Sequence, residues 1–195
     1  MIPPCSKLPQ PMLADLLATL TGVAAFASFS WALTGHFSSQ SMGFGMRAIS
    51  LLSLLSIAGL LLMTWSAEQP LVSQVLGAIM HLLSGALFWW AVASSRGASL
   101  KLAFDPKAPG RVLVAGAYKF IRHPFYSSYL VYWSGWAISC WTPFAALPLV
   151  LLTPIYLYAA QKEERSFLLS ELCDPYIDYR RGTGAFFPRL WRSAK

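Results

Sequence analysis

At 195 residues, with 56% apolar and only 12% charged side chains, the chain departs from soluble domains, in which about one quarter of residues are charged. An ordinary soluble fold is thereby excluded, and one integral membrane domain is expected. The net charge of +7 would suit a nucleic-acid binder in a soluble protein, but thirteen of the fifteen Lys and Arg residues form two clusters, six from Arg96 to Arg122 and seven from Lys162 to Lys195. Basic clusters beside apolar spans mark cytoplasmic segments that meet anionic lipid heads, so the expected partner is a lipid bilayer and not a nucleic acid.

Residues 1–11, rich in proline and carrying one Lys, lack the basic region and small-residue cleavage site of a signal peptide and read as a short disordered tail. Residues 12–195 read as a single membrane-embedded domain. Residues 12–33 are long enough to span, because about 20 apolar residues cross a bilayer, with Trp31 at an interface and Asp15 near enough to the end to reach headgroups. A Ser/Gly-rich loop over 35–45 leads to an uncharged second span, 48–65, and a tight turn at 67–70 leads to a third, 71–93. Gly77, His81 and Gly85 recur at i, i+4 and i+8, placing them on one helix face where small residues admit a neighbouring helix. His81 therefore faces protein, as a packing histidine or a functional one.

From 94 to 123 the chain is polar and basic, with turns at Asp105-Pro106 and Pro109-Gly110. Residues 125–141 and 144–160 then read as a helical hairpin turning at Thr142-Pro143, with both arms at the short limit for a span and with kinks expected at Pro148 and Pro154. Tyr126, Tyr129, Trp133 and Trp136 form an aromatic stripe on the first arm. The second arm is expected to continue as a helix through QKEERSFLLSEL. Asp174-Pro175 reads as an N-cap and first-turn proline, and Gly182 as a stop, enclosing a short helix with Tyr176, Tyr179, Arg180 and Arg181. With both basic clusters inside, five crossings leave the N-terminus outside and the C-terminus in the cytoplasm. Cys5, Cys140 and Cys173 are odd in number and widely spaced, fitting neither a disulfide framework nor a metal site, so free thiols and no metal are expected.

The stretch GAYKFIRHPFY, residues 116–126, carries the chemistry if any stretch does. Proline is favoured at the first position of a helix, so a helix is expected to start at Pro124, with its free N–H groups beside Arg122 and His123. That arrangement suits a carboxylate or phosphate, although RHP alone serves equally as a basic anchor at the membrane boundary. Because the hairpin returns the chain to the side it left, Arg122, His123 and Tyr126 are expected beside Glu163 and Glu164. Cationic groups for a carboxylate, glutamates for an ammonium or ribose hydroxyls, and tyrosine faces for a positive charge together suit S-adenosylmethionine. No strand-GxGxxG-helix arrangement is present.

The combination VLVAGAYKFIRHPFY, a hydrophobic hairpin, and KEERSFLLSELCDPYIDYRRGTGAFFPRLW resembles the isoprenylcysteine carboxyl methyltransferase and phospholipid methyltransferase superfamily. The resemblance covers residues 94–191, roughly the C-terminal half, and rests on GxY, RHPxY, paired glutamates, YxxYR and a terminal FP at matching separations. It implies S-adenosylmethionine-dependent methyl transfer at the cytoplasmic face to a lipophilic acceptor entering from the bilayer. By match to the family's motifs, Val112, Leu113, Tyr118, His123, Pro124, Tyr126 and Glu164 line the cofactor pocket, with Tyr176, Tyr179 and Arg180 on the helix that closes over it. No nucleophile is evident. Arg122, Glu163 and Glu164 are the catalytic candidates, and either glutamate is placed to take a proton from an amine or thiol acceptor. Ser128 stands where a glycine often follows RHPxY, and Ala160 where prenylcysteine methyltransferases carry the arginine that meets the acceptor carboxylate. A prenylcysteine carboxylate is therefore not the expected substrate. The rival readings are an NADPH-dependent sterol-type or fatty-chain reductase, whose membrane enzymes have similar segments, and a non-catalytic membrane scaffold that binds neither cofactor.

Overall fold

The computed structural model describes residues 10–35, 44–96 and 111–189; residues 1–9 of the expected N-terminal tail, most of the loop over 35–45 and the turns at Asp105-Pro106 and Pro109-Gly110 lie outside them, while Gln10 and Pro11 of that tail already belong to the first helix. Six α-helices follow in order: α1 (Gln10–Gly35), α2 (Phe44–Ser66), α3 (Leu71–Ser94), α4 (Pro124–Ser139), α5 (Leu147–Leu168) and α6 (Cys173–Gly182). Among the described residues there is no β-strand, and the fold is all-helical. Helices α1, α2, α3 and α5 are long and apolar enough to cross a membrane. Helix α4 has 16 residues and is about 24 Å long at 1.5 Å per residue, short of a hydrocarbon core of about 30 Å.

The shortest of these long helices is the most enclosed. Trp133 and Trp136, the deeper members of the aromatic stripe on α4, are buried, and so is Tyr132 beside them. Helix α4 runs antiparallel to α3, and their contacts step along both helices. The Ser84 hydroxyl donates to the Ser128 carbonyl at 2.7 Å, the His81 and Trp136 rings lie 4.8 Å apart, and the Ser139 hydroxyl donates to Gln74 Oε1 at 2.7 Å. Helix α1 closes the other side through Phe29, whose ring centroid lies 4.9 Å from those of Phe88 and Tyr129 and 5.2 Å from that of Tyr132. Ring pairs in tilted and edge-on geometry contribute about 0.5–1.5 kcal/mol each beyond area burial, a useful increment where lipid removes the usual hydrophobic drive between helices.

Several polar side chains inside this bundle find partners across helices, although among the described residues His81 Nε2, the Tyr132 hydroxyl and Trp136 Nε1 are buried without a hydrogen-bond partner. Gln74 Nε2 donates to Asp15 Oδ1 at 2.7 Å, so the carboxylate expected to reach headgroups is held instead by a neighbouring helix. His81 is buried, with Nδ1 3.4 Å from the Thr21 hydroxyl and its ring between Tyr132 and Trp136. Thr21 directs its own proton to the Leu17 carbonyl at 2.9 Å, leaving its oxygen to accept from His81. His81 thus faces protein, as the helix-face spacing predicts.

The later helices differ from the sequence expectation in ways that shape the site. Helix α4 ends at Ser139, two residues early, and Trp141 adopts φ 43°, a left-handed conformation that reverses the chain before Thr142. Pro148 lies in the first turn of α5, where its missing N–H costs nothing, so of the two expected kink positions only Pro154 is interior. Helix α5 stops at Leu168 and gives way to a turn through Leu172, closed by Ser170 N–H to Phe167 O and Cys173 N–H to Ser170 O, both 3.1 Å. Helix α6 then starts at Cys173, so Asp174 falls within its first turn rather than at the N-cap, still on the end where a negative charge is favourable.

The small-residue face of α3 is also shorter than its spacing implied. A Cβ at Gly77 would stand 2.6 Å from Ser139 Cβ and 2.8 Å from the Gly135 carbonyl oxygen, whereas one at Gly85 would meet nothing within 4 Å. Only Gly77 admits α4 closely. Gly77→Ala is accordingly expected to lower the thermal midpoint of the detergent-solubilised protein by the equivalent of about 1–3 kcal/mol, the usual cost of overpacking, while Gly85→Ala leaves it unchanged or raises it. Equal shifts in the two variants would contradict this packing.

Candidate functional site

The site is assembled from four pieces of chain. The first is a 3-10 turn, Gly116–Lys119, entered through Gly116 at φ 60°, a conformation that favours glycine. The Ala117 N–H donates to Ser94 Oγ at 2.9 Å, which fixes this turn to the end of α3. The second piece is the start of α4. His123 is its N-cap and Pro124 its first residue, as the RHP spacing predicts, and the Ser127 N–H donates to the His123 carbonyl at 3.0 Å.

The third piece is the last two turns of α5, which bring Glu163 and Glu164 against Arg122 and His123. Glu164 Oε1 accepts from Arg122 Nε at 2.9 Å and lies 3.1 Å from His123 Nε2, while Glu164 Oε2 lies 3.5 Å from Arg180 Nε. Glu163 takes the other edge of the imidazole, its Oε2 3.5 Å from His123 Nδ1, and its Oε1 accepts from the Tyr126 hydroxyl. The expected neighbourhood of the RHPFY and KEER segments is thus present at hydrogen-bond distance. The anion beside Arg122 and His123 is the protein's own Glu164. At the start of α4, where a compact site for a carboxylate or phosphate is expected, the cations are met by a carboxylate from the end of α5.

Helix α6 supplies the fourth piece. The Tyr176 ring stacks on Phe167 with centroids 4.7 Å apart and planes 8° from parallel, which folds α6 back over the end of α5. The Tyr179 hydroxyl donates to the Tyr118 carbonyl at 2.7 Å, tying α6 to the 3-10 turn. Of the residues expected to line a pocket, Tyr118, His123, Pro124, Tyr126, Glu164, Tyr176, Tyr179 and Arg180 therefore lie in one connected cluster. Val112 and Leu113 are half-buried in the extended stretch that precedes the turn. Ala160 is buried on α5 one turn before Glu164. Ser128 is fully buried, and its hydroxyl donates to the Phe125 carbonyl at 2.7 Å, so the side chain that stands in place of glycine is absorbed within α4.

One part of the site carried no signal in the sequence. After α6 the chain runs back along the start of α4 as a strap over residues 183–187. The Arg122 N–H donates to the Gly184 carbonyl at 2.8 Å and the His123 N–H to the Ala185 carbonyl at 3.0 Å, a single parallel bridge pairing Ile121 with Gly184. The Ser127 hydroxyl donates to the Phe186 carbonyl at 2.7 Å, and the Phe186 ring stacks on the imidazole of His123 at 5.6 Å. A short irregular pairing has no periodicity to read, so only the terminal FP of the motif marked this region.

The electrostatics follow from the contacts. Burial opposes a charge on His123, but the hydrogen bonds and charges of Glu163 and Glu164 outweigh it and raise the pKa above the usual histidine value. Both ring nitrogens then donate, one to each glutamate. Tyr118, Tyr176 and Tyr179 are pushed up chiefly by burial, with the negative charge of Glu163 adding at Tyr118 and that of Glu164 at Tyr176. These phenols stay neutral and offer O–H groups and ring faces. A raised histidine pKa stabilises the folded state fully below the unfolded value of about 6.5, and that contribution is lost as pH rises through the folded value. The thermal midpoint of the wild type is therefore expected to fall, relative to that of His123→Gln, as pH rises above about 6.5, and parallel pH profiles would contradict the doubly bridged imidazolium.

Among known proteins, no family model matches the chain, and neither curated proteins nor solved structures give a significant match to it.

Proposed function

We propose that this protein is an S-adenosylmethionine-dependent methyltransferase that acts at the cytoplasmic face of a membrane on a lipophilic acceptor. The observation that carries the reading is the convergence of Arg122, His123 and Tyr126 with Glu163 and Glu164 beneath a helix bearing Tyr176 and Tyr179. These are the motif residues on which the resemblance to the isoprenylcysteine carboxyl and phospholipid methyltransferases rests. The donor set suits the group. The Glu163 side chain is 40% exposed and anchored by Tyr126 and His123 on its inner side, so its outer lone pairs suit an ammonium or a hydroxyl. A nicotinamide phosphate would be served better by free arginines and lysines than by two carboxylates, which favours methyl transfer over the reductase.

When bound, S-adenosylmethionine supplies an electrophilic methyl on a sulfonium, which a nucleophile takes by in-line displacement. The protein's task is then approach and alignment, which provide on the order of 7–11 kcal/mol without any covalent intermediate. Tyr118 and Tyr126 present ring faces to a positive charge, and α6 with the strap excludes water from the site. Glu163 takes the proton of an amine or thiol acceptor. Ala160 offers no cation to an acceptor carboxylate, so the acceptor class is a lipid amine, a thiol or another small lipophile rather than a prenylcysteine.

The orientation that goes with this reading has five crossings. Helix α4 counts as one because it runs antiparallel to α3 from Ser128 to Ser139, and both basic clusters then face the cytoplasm. One experiment addresses chemistry and sidedness together: membrane vesicles of each orientation are given methyl-labelled S-adenosylmethionine from outside, and lipids and small thiols are followed for label. Label is expected to appear with inverted vesicles and to be absent with right-side-out ones. Absence of label from both, alongside oxidation of NADPH with an unsaturated lipid, would replace methyl transfer by reduction.

A further inference from the structure

The Arg122 side chain is committed on several sides at once. Its side chain is 11% exposed, with Nε donating to Glu164 Oε1 at 2.9 Å. Its Nη1 donates to the Thr183 carbonyl and, at 3.4 Å, to that of Arg180. Those two carbonyls belong to the end of α6 and the first residue of the strap. One guanidinium therefore joins the start of α4, the end of α5, the end of α6 and the strap, four pieces that the sequence separates by up to 61 positions.

We propose that Arg122 is a positioning residue: it locks the strap over residues 183–187 onto the edge of α4, and through Glu164 and the strap it sets His123, rather than binding the carboxylate of a ligand. The two faces of His123 show how this works. Glu164, oriented by Arg122, holds Nε2 at 3.1 Å, and Phe186, carried by the strap, covers the ring at 5.6 Å. Loss of the guanidinium removes from each a contact that links it to the other. The planar fork matters as well as the charge, because Nε and Nη1 address a carboxylate and two carbonyls in different directions, and a lysine ammonium reaches them only as a point charge. The fold part of this inference stands on the contacts alone, while its consequence for a ligand rests on the methyl-donor site proposed above.

The test uses full-length protein in detergent. In Arg122→Gln and in Arg122→Lys, the amides of residues 122 and 123, which donate to the strap, are expected to exchange at least about tenfold faster than in the wild type, the effect of losing a charge-assisted hydrogen bond, with α3 unchanged. Unchanged exchange in Arg122→Gln would overturn the proposal. Calorimetry with S-adenosylmethionine supplies the second arm. Arg122→Lys and Phe186→Ala are each expected to weaken binding, and the double variant to be no weaker than the worse single one, because both act through the seating of the strap. Full affinity in Arg122→Lys with a loss only in Arg122→Gln would instead make Arg122 a direct charge partner of the ligand and overturn the proposal. A wild type that does not bind S-adenosylmethionine would remove the methyl-donor reading and leave the exchange arm to decide the role of Arg122.

Discussion

The carboxylate of Glu164 is where the start of α4 and the ends of α5 and α6 are joined. With its side chain 14% exposed, it takes Arg122 on one oxygen together with His123, and Arg180 on the other. Such a group is tolerable out of water only while its partners stay, and removing one partner of a buried pair costs about 3–5 kcal/mol because the remaining charge is left unpaired. The three cations come from the start of α4 and the end of α6, and the anion from the end of α5. The interaction therefore specifies which chain segments meet, and the tyrosines and the strap are placed around it.

What holds the rest is different physics. In lipid, apolar surface drives helices together weakly, so the bundle relies on close backbone approach, ring packing and cross-helix hydrogen bonds. Gly77 lets α3 and α4 approach, Phe29 and Phe88 pack edge to face with the α4 rings, and Gln74 links Asp15 of α1 to Ser139 of α4 through both ends of its amide. Gly77 and Gln74 fix the end of α4 far from the site and the Phe29 and Phe88 rings its near end, and together they fix how α4 presents His123 and Tyr126. A rigid helix pair is a suitable base for the proposed methyl-transfer site, whose task would be alignment.

The parts of this arrangement that were legible in the sequence are those with a one-residue cause. Proline after His123 sets the start of α4, apolar runs of about 20 residues set the long helices, and the hairpin turn at Thr142-Pro143 brings Glu163 and Glu164 back to Arg122. The parts that were not legible depend on tertiary partners. Leu169 to Leu172 carry helix-compatible residues, yet the stacking of Tyr176 on Phe167 requires the chain to turn there. Gly85 has the spacing of a contact residue but no neighbour, because α4 touches α3 there through Ser84. The strap is invisible to pattern because its hydrogen bonds join carbonyls of Thr183, Gly184 and Ala185, whose side chains need not be of any given type, to Arg122 and His123.

The central claim is that the two ends of the hairpin make a single ligand site. Its most direct measurement is calorimetric titration of S-adenosylmethionine into the purified wild type, His123→Ala and Glu164→Gln, each checked for intact helical content. Binding to the wild type with affinity at least about tenfold weaker in both variants is predicted, since each loses a charge-assisted hydrogen bond that the other's position depends on. Unchanged affinity in both variants would contradict a shared site.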